Sequence, residues 1–76
     1  MSMKNTRFVI FCGPERLGLP SARYLSDEGT PTELRRKAAK FLTYQDAETF
    51  AEQNQIELTD EVYIGLQEFP DRDLHG

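Results

Sequence analysis

The chain has 76 residues, of which 38% are hydrophobic and 29% are charged, so we expect one small domain at most. Its longest apolar run, residues 8–12, is far shorter than the ~20 residues that a membrane-spanning helix needs. We expect no secretory signal, and a single cysteine cannot build a disulfide framework, so the sequence favours a cytoplasmic protein.

Charge is unevenly distributed between the two halves of the chain. Residues 1–43 carry eight basic and four acidic side chains, whereas residues 44–76 carry one basic and nine acidic side chains. Such asymmetry is typical either of a dipolar fold whose halves attract each other or of an acidic surface that meets a basic partner. We favour the dipolar fold, because charge patterning governs solubility and encounter more than architecture.

The N-terminal third predicts two strands. Residues 1–6 are polar, and we expect them to be disordered. Residues 7–12 are dense in aromatic and β-branched side chains and apolar on both faces, which indicates a central strand. The Gly-Pro pair at 13–14 ends that strand, and residues 22–26 form a second, shorter strand candidate closed by the turn signal at 27–29.

A capping box predicts a helix over residues 31–39. Thr30 can cap the first free amides, Pro31 suits the first helical position, and Glu33 can reach back to the cap. Residues 39–43 are ambiguous, because they alternate as a strand would and also continue the helical period. We favour a short strand or extended link over residues 40–43.

A second capping box, from Thr43 to Asp46, predicts a helix through about residue 54 with its apolar side chains on one face. A final strand is predicted over residues 62–69, and Pro70 ends it. In that strand Val62, Ile64 and Leu66 are expected to face the core.

These elements predict an α+β fold: a small, mostly antiparallel sheet of three to four strands with two helices packed on one face. The expected organisation is a disordered N-terminus (1–6), a single α+β domain (7–69) and a disordered acidic tail (70–76). The predicted core consists of eleven residues: Phe8, Ile10, Tyr24, Leu34, Ala38, Phe41, Ala47, Phe50, Ala51, Ile64 and Leu66.

The sequence contains few residues arranged as catalytic, nucleotide-binding or metal-binding motifs. The glycine spacing at 13–18 is that of a nucleotide-binding loop, but Leu19 and Pro20 stand where a lysine and a hydroxyl are needed. Cys12 is expected to be a small buried hydrophobe, and His75 lies in the predicted tail, so no cysteine–histidine pair is expected. We therefore expect no enzyme activity, no metal site and no cofactor.

One dense basic patch, formed by Arg35, Arg36, Lys37 and Lys40, falls on the first predicted helix. A solvated helix surface is its simplest interpretation, and protein contact and nucleic-acid contact are the alternatives. On a helix Arg36 and Lys40 would share a face, flanked by Arg35 and Lys37.

Three functions follow as hypotheses. The first is a non-enzymatic protein–protein interaction module that binds an unknown protein or a second copy of itself, through an exposed patch of Phe11, Val9, Tyr63 or Leu25 on a bare sheet face. The second is weak nucleic-acid binding through the basic helix. The third is small-molecule or anion binding at residues 13–20.

Overall fold

A computed structural model describes residues 5–13 and 23–74. They form a four-stranded sheet in the order β3-β2-β1-β4 in which all neighbours are antiparallel. In chain order the elements are β1 (Thr6–Cys12), β2 (Tyr24–Leu25), β3 (Pro31–Thr32), a 3-10 turn (Arg35–Lys37), α1 (Tyr44–Gln53), β4 (Val62–Glu68) and a C-terminal helical turn (Asp71–Leu74). The α+β fold with a four-stranded antiparallel sheet is thus confirmed. None of the helices in these two segments has the length and apolarity needed to cross a bilayer.

β1 lies in the interior of the sheet, as its two-sided apolar composition predicted. It pairs with β4 along its whole length, from Thr6 opposite Glu68 to Cys12 opposite Val62. On its other side Phe11 pairs with Tyr24 of β2.

The helix predicted over residues 31–39 is wrong, because its first residues complete a β-hairpin instead. Pro31 and Thr32 pair with β2, and Ser26 N–H donates to the Thr30 carbonyl at 2.7 Å to close the turn. The Thr30 hydroxyl bonds the buried Ser26 hydroxyl at 2.9 Å and does not cap a helix. The hairpin is more stable than the helix because it gives a buried hydroxyl a hydrogen-bond partner and supplies β2 with a second neighbouring strand.

Residues 35–41 make one 3-10 turn and then run extended. Ala38 forms a bridge with Ser26, and Phe41 exchanges two backbone hydrogen bonds with Phe8, at 2.8 and 2.9 Å. The extended link that we favoured for residues 40–43 is therefore what the chain adopts at Phe41.

α1 forms where its capping signal predicted it. The Thr43 side chain accepts a hydrogen bond from Asp46 N–H at 3.1 Å, and Ala47 and Ala51 are the buried residues of the helix. In the described part of the chain it is the one helix longer than a single α-turn, so the prediction of two packed helices is wrong.

The sheet carries a hydrophobic cluster on each face, so most of the face that was predicted to be partly bare is covered, while Tyr63 on it stays 49% exposed. On the helix face, Ile10, Cys12 and Val62 pack with Ala51 of α1. The opposite face, here called the aromatic face, is covered by a second cluster: Val9, Tyr24, Ala38 and Phe69, with Phe11 and Leu74 partly buried against it.

Burial corrects several individual residues. Val9 and Leu25, suggested as members of an exposed patch, are almost fully buried. Leu34 and Leu66, placed in the predicted core, are 43% and 54% exposed. Leu34 is exposed because the helix that would have turned its side chain towards the core does not form.

The C-terminal segment contributes to packing. Phe69 is buried, and Leu74 of the helical turn packs against the same cluster. Residues 70–76 were predicted to be a disordered tail, and the contact of Leu74 was not expected. Residues 75 and 76, like 1–4 and 14–22, lie outside the described residues. The proposed domain limits stay predictions.

Candidate functional site

Three rings form a continuous row across the aromatic face. The Phe11 ring lies 5.7 Å from the Tyr24 ring and 5.4 Å from the Tyr63 ring, centroid to centroid. The row follows from register, because the backbone pairs Phe11 with Tyr24 on one side and with Tyr63 on the other. Tyr24 is buried, Phe11 is half-buried, and Tyr63 is 49% exposed at the edge of the sheet. The row therefore runs from the core to solvent.

The predicted basic patch does not form as a helical surface. Arg35, Arg36 and Lys37 occupy the 3-10 turn and are exposed. Lys40 turns back, since its Nζ donates to the Arg36 and Ala38 carbonyls at 3.0 Å and lies 5.1 Å from the centre of the Phe69 ring. Lys40 thus caps the end of the turn and does not share a face with Arg36.

A different basic cluster replaces it. Four exposed arginines line one open groove of about 910 Å³: Arg23, Arg35, Arg36 and Arg72. We call this the arginine groove. Tyr24, Leu34 and Pro70 form apolar parts of its wall, and among the described lining residues Glu33 is the one that is acidic. The 3-10 turn and the C-terminal helical turn contact each other, which brings Arg72 to Arg35 and Arg36.

Sequence reasoning missed Arg23 and Arg72. Arg72 is the one basic residue of the acidic half of the chain, and no local spacing connects it with residues 35 and 36. The signal that would have found it is the hydrophobic anchoring of the C-terminal segment by Phe69 and Leu74.

The two edges of the sheet differ. β3 is two residues long and begins with Pro31, so it offers little to an incoming strand. β4 has seven residues with no proline or lysine, and its one charged residue, Glu68, is the last. Natural edge strands of this length usually carry a proline or a charged residue that hinders pairing with another chain, and the interior of β4 carries neither.

The hydrogen-bond register shows which backbone groups of β4 point outward. Gly13 N–H donates to the Glu61 carbonyl and Phe69 N–H to the Asn5 carbonyl, so Tyr63, Gly65 and Gln67 direct their backbone groups towards β1. The alternate residues, which include Ile64 and Leu66, direct theirs outward. Within the described residues nothing bonds the outward N–H and C=O groups of Ile64 and Leu66. We call this row the β4 edge.

Apolar side chains accompany the β4 edge on the helix face. Leu66 lies opposite Phe8 in the β1–β4 register, and the Phe8 ring meets the Tyr44 ring edge-on at 6.0 Å. Leu66 and Tyr44 are both about half exposed. An incoming strand at the β4 edge would cover part of this apolar surface.

Cys12 is buried at the end of β1, as predicted, and burial raises the pKa of its thiol. The thiol is therefore protonated at neutral pH and unsuited to act as a nucleophile. Among the described residues no group of three His, Cys, Asp or Glu side chains is arranged to hold a metal ion. Apart from Gly13, residues 13–20 lie outside the described residues, so the anion-binding hypothesis for that loop stays untested.

Comparison with protein-family models, with curated proteins and with solved structures finds no match for this chain.

Proposed function

We propose that this protein is a small non-enzymatic interaction module that associates with a second copy of itself through the β4 edge. The observation that supports the proposal most strongly is that Ile64 and Leu66, on the seven-residue edge strand β4, direct outward backbone groups that no described residue bonds. Unpaired backbone groups on an edge strand are a template for another strand.

The length of β4 favours one register for the pair. Gly65 is the midpoint of Val62–Glu68, and antiparallel pairing about it places Ile64 of one copy opposite Leu66 of the other. The outward N–H and C=O of Val62 are already bonded to Thr59, so pairing centres on these two residues. In that register Ile64 of each copy exchanges hydrogen bonds with Leu66 of the other, and the two sheets become continuous. The same residues lie side by side on the helix face, where their contact would cover the half-exposed Leu66 side chain.

The charged side chain of β4 does not oppose pairing of two copies in this register. Glu68 of one copy lies opposite Val62 of the other, so no two carboxylates face each other directly. Edge pairing alone buries little area, and interfaces of that size are weak and depend on concentration. We therefore expect association in the micromolar range, with the monomer retaining its fold.

Sedimentation velocity from low to high micromolar concentration tests the proposal. The wild-type protein is expected to shift from monomer to dimer. Leu66→Lys, which places a charge on the β4 edge, should remain monomeric. Leu42→Lys is the matched control: Leu42 is 74% exposed and follows Phe41, which pairs with β1 on the side away from β4. A wild-type protein that stays monomeric, or equal weakening by both variants, would refute association through this edge.

A further inference from the structure

The arginine groove is positively charged, although the protein as a whole is negatively charged. The whole chain has a formal net charge of −4, yet the described charged residues that line this groove are four arginines and one glutamate. A cationic site on an acidic protein is not explained by solubility, since the acidic residues already supply a net charge. A local concentration of guanidinium groups of this kind attracts a polyanion.

The guanidinium groups of the groove are available for binding. All four arginines are exposed, and none of them forms a side-chain hydrogen bond or ion pair with another described residue. Their placement therefore satisfies no acceptor in the part of the chain that the structure describes. Bidentate recognition of phosphate or carboxylate is the chemistry for which guanidinium is best suited.

The groove is continuous with the aromatic row. Tyr24 belongs to the wall of the groove and is also the first ring of the row that passes through Phe11 to Tyr63. The two ring-to-ring steps, 5.7 and 5.4 Å, place the exposed Tyr63 ring within a few nucleotides' reach of the arginines. A cationic groove beside an exposed ring on a sheet face is the combination used by proteins that bind single strands.

We infer that the arginine groove holds the phosphate backbone of a single-stranded nucleic acid while one of its bases stacks on Tyr63. Stacking on a side chain requires an unpaired strand, since both faces of a base in a duplex are covered by the neighbouring base pairs. An acidic polypeptide would engage the same arginines, but its carboxylates would make no use of the Tyr63 ring. The combined site therefore favours a single strand. It keeps Arg35 and Arg36 of the basic patch considered on sequence grounds and adds Arg23 and Arg72.

The charge part of the inference is tested with a short fluorescein-labelled oligothymidylate, by fluorescence anisotropy at a protein concentration where the protein is monomeric. With four phosphate contacts, the logarithm of the association constant should fall against the logarithm of salt concentration with a slope of about −3. Arg35→Gln should reduce this slope by about 0.7. Lys37→Gln removes the same charge from the same exposed turn, but Lys37 does not line the groove, so it should leave the slope nearly unchanged.

The stacking part has its own matched pair of variants. Tyr63 and Tyr44 are 49% and 48% exposed, and each contacts one phenylalanine ring, but they lie on opposite faces of the sheet. Tyr63→Leu should weaken oligothymidylate binding at least about fivefold, and Tyr44→Leu should not.

Three results would overturn the inference. The first is no anisotropy change at low salt, and the second is equal effects of Arg35→Gln and Lys37→Gln, which would indicate diffuse electrostatics. The third is displacement of the oligonucleotide by poly-glutamate together with no effect of Tyr63→Leu, which would identify an acidic polypeptide as the occupant. Because the measurement uses monomeric protein, none of these results bears on association through the β4 edge.

Discussion

Gly65 of β4 lies directly beneath the ring of Phe11. A Cβ atom built on Gly65 would come within 2.7 Å of Phe11 Cε2, closer than real Cβ contacts allow. The ring cannot easily move aside, because Tyr24 and Tyr63 lie on either side of it. The absence of a side chain at Gly65 therefore allows the Phe11 ring to approach the backbone of β4 this closely.

Gly65→Ala is expected to destabilise the protein by about 1–3 kcal/mol, since the added methyl group overpacks the row. Gly13→Ala is the control, because its Cβ would meet Glu61 at an ordinary 3.6 Å. Urea unfolding measures both variants, and near-UV circular dichroism reports the rings. Similar stability of Gly65→Ala and the wild type would show that Phe11 is not confined.

Phe69→Ala tests whether the C-terminal segment belongs to the core. Truncation of a fully buried phenylalanine costs about 3–5 kcal/mol, which is comparable with the whole stability expected of so small a protein. We expect loss of cooperative thermal unfolding, whereas Leu42→Ala, at a well-exposed site, should change stability by less than about 0.5 kcal/mol. An unchanged melting temperature for Phe69→Ala would contradict the observed packing.

Thr43→Ala should cost about 1 kcal/mol, because it removes the side chain that accepts the Asp46 N–H at the start of α1. Thr43→Ser retains the hydroxyl and should recover most of the loss. Urea unfolding followed by far-UV circular dichroism compares the three proteins. If serine does not recover stability, the cap contributes through packing of the threonine methyl group and not through its hydrogen bond.

The Cys12 thiol makes stability depend on pH in the alkaline range. Burial raises its pKa in the folded protein above the ordinary value of 9.0. Below that value the thiol is neutral in both states; above it the unfolded chain ionises first, so the free energy of unfolding falls as pH rises towards the folded pKa. Cys12→Ala removes this component, and its stability should fall less steeply than that of the wild type between pH 8 and 10. Parallel pH profiles would show that Cys12 does not ionise more readily on unfolding.

The sequence predicted the elements whose signals are local. The apolar run of β1, the Thr43 cap of α1 and the alternation in β4 each determine structure within a few residues, and each forms as expected. Residues 31–39 also carried a good local signal, but the partner of Pro31 and Thr32 lies across a turn. Pairing with β2 and the buried Ser26 hydroxyl outweighed the capping box.

The candidate sites were harder to predict because they join residues distant in sequence. Phe11 and Tyr63 were named individually as contact residues, but their stacking depends on the β1–β4 register, which the sequence did not reveal. Arg72 reaches the arginine groove through the packing of Phe69 and Leu74. Lys40 was expected to share a face with Arg36, which assumed helical geometry that residues 31–40 do not adopt.

Amide hydrogen exchange at Ile64 and Leu66 tests association through the β4 edge most directly. Both amides point away from β1, so in dilute solution they should exchange rapidly, whereas the amides of Tyr63 and Gly65 are bonded to β1 and should exchange slowly. We predict that raising the protein concentration slows exchange at Ile64 and Leu66 and leaves the amides that face β1 nearly unchanged. Rapid exchange at Ile64 and Leu66 at every concentration, even where the protein sediments as a dimer, would show that the copies do not meet at this edge.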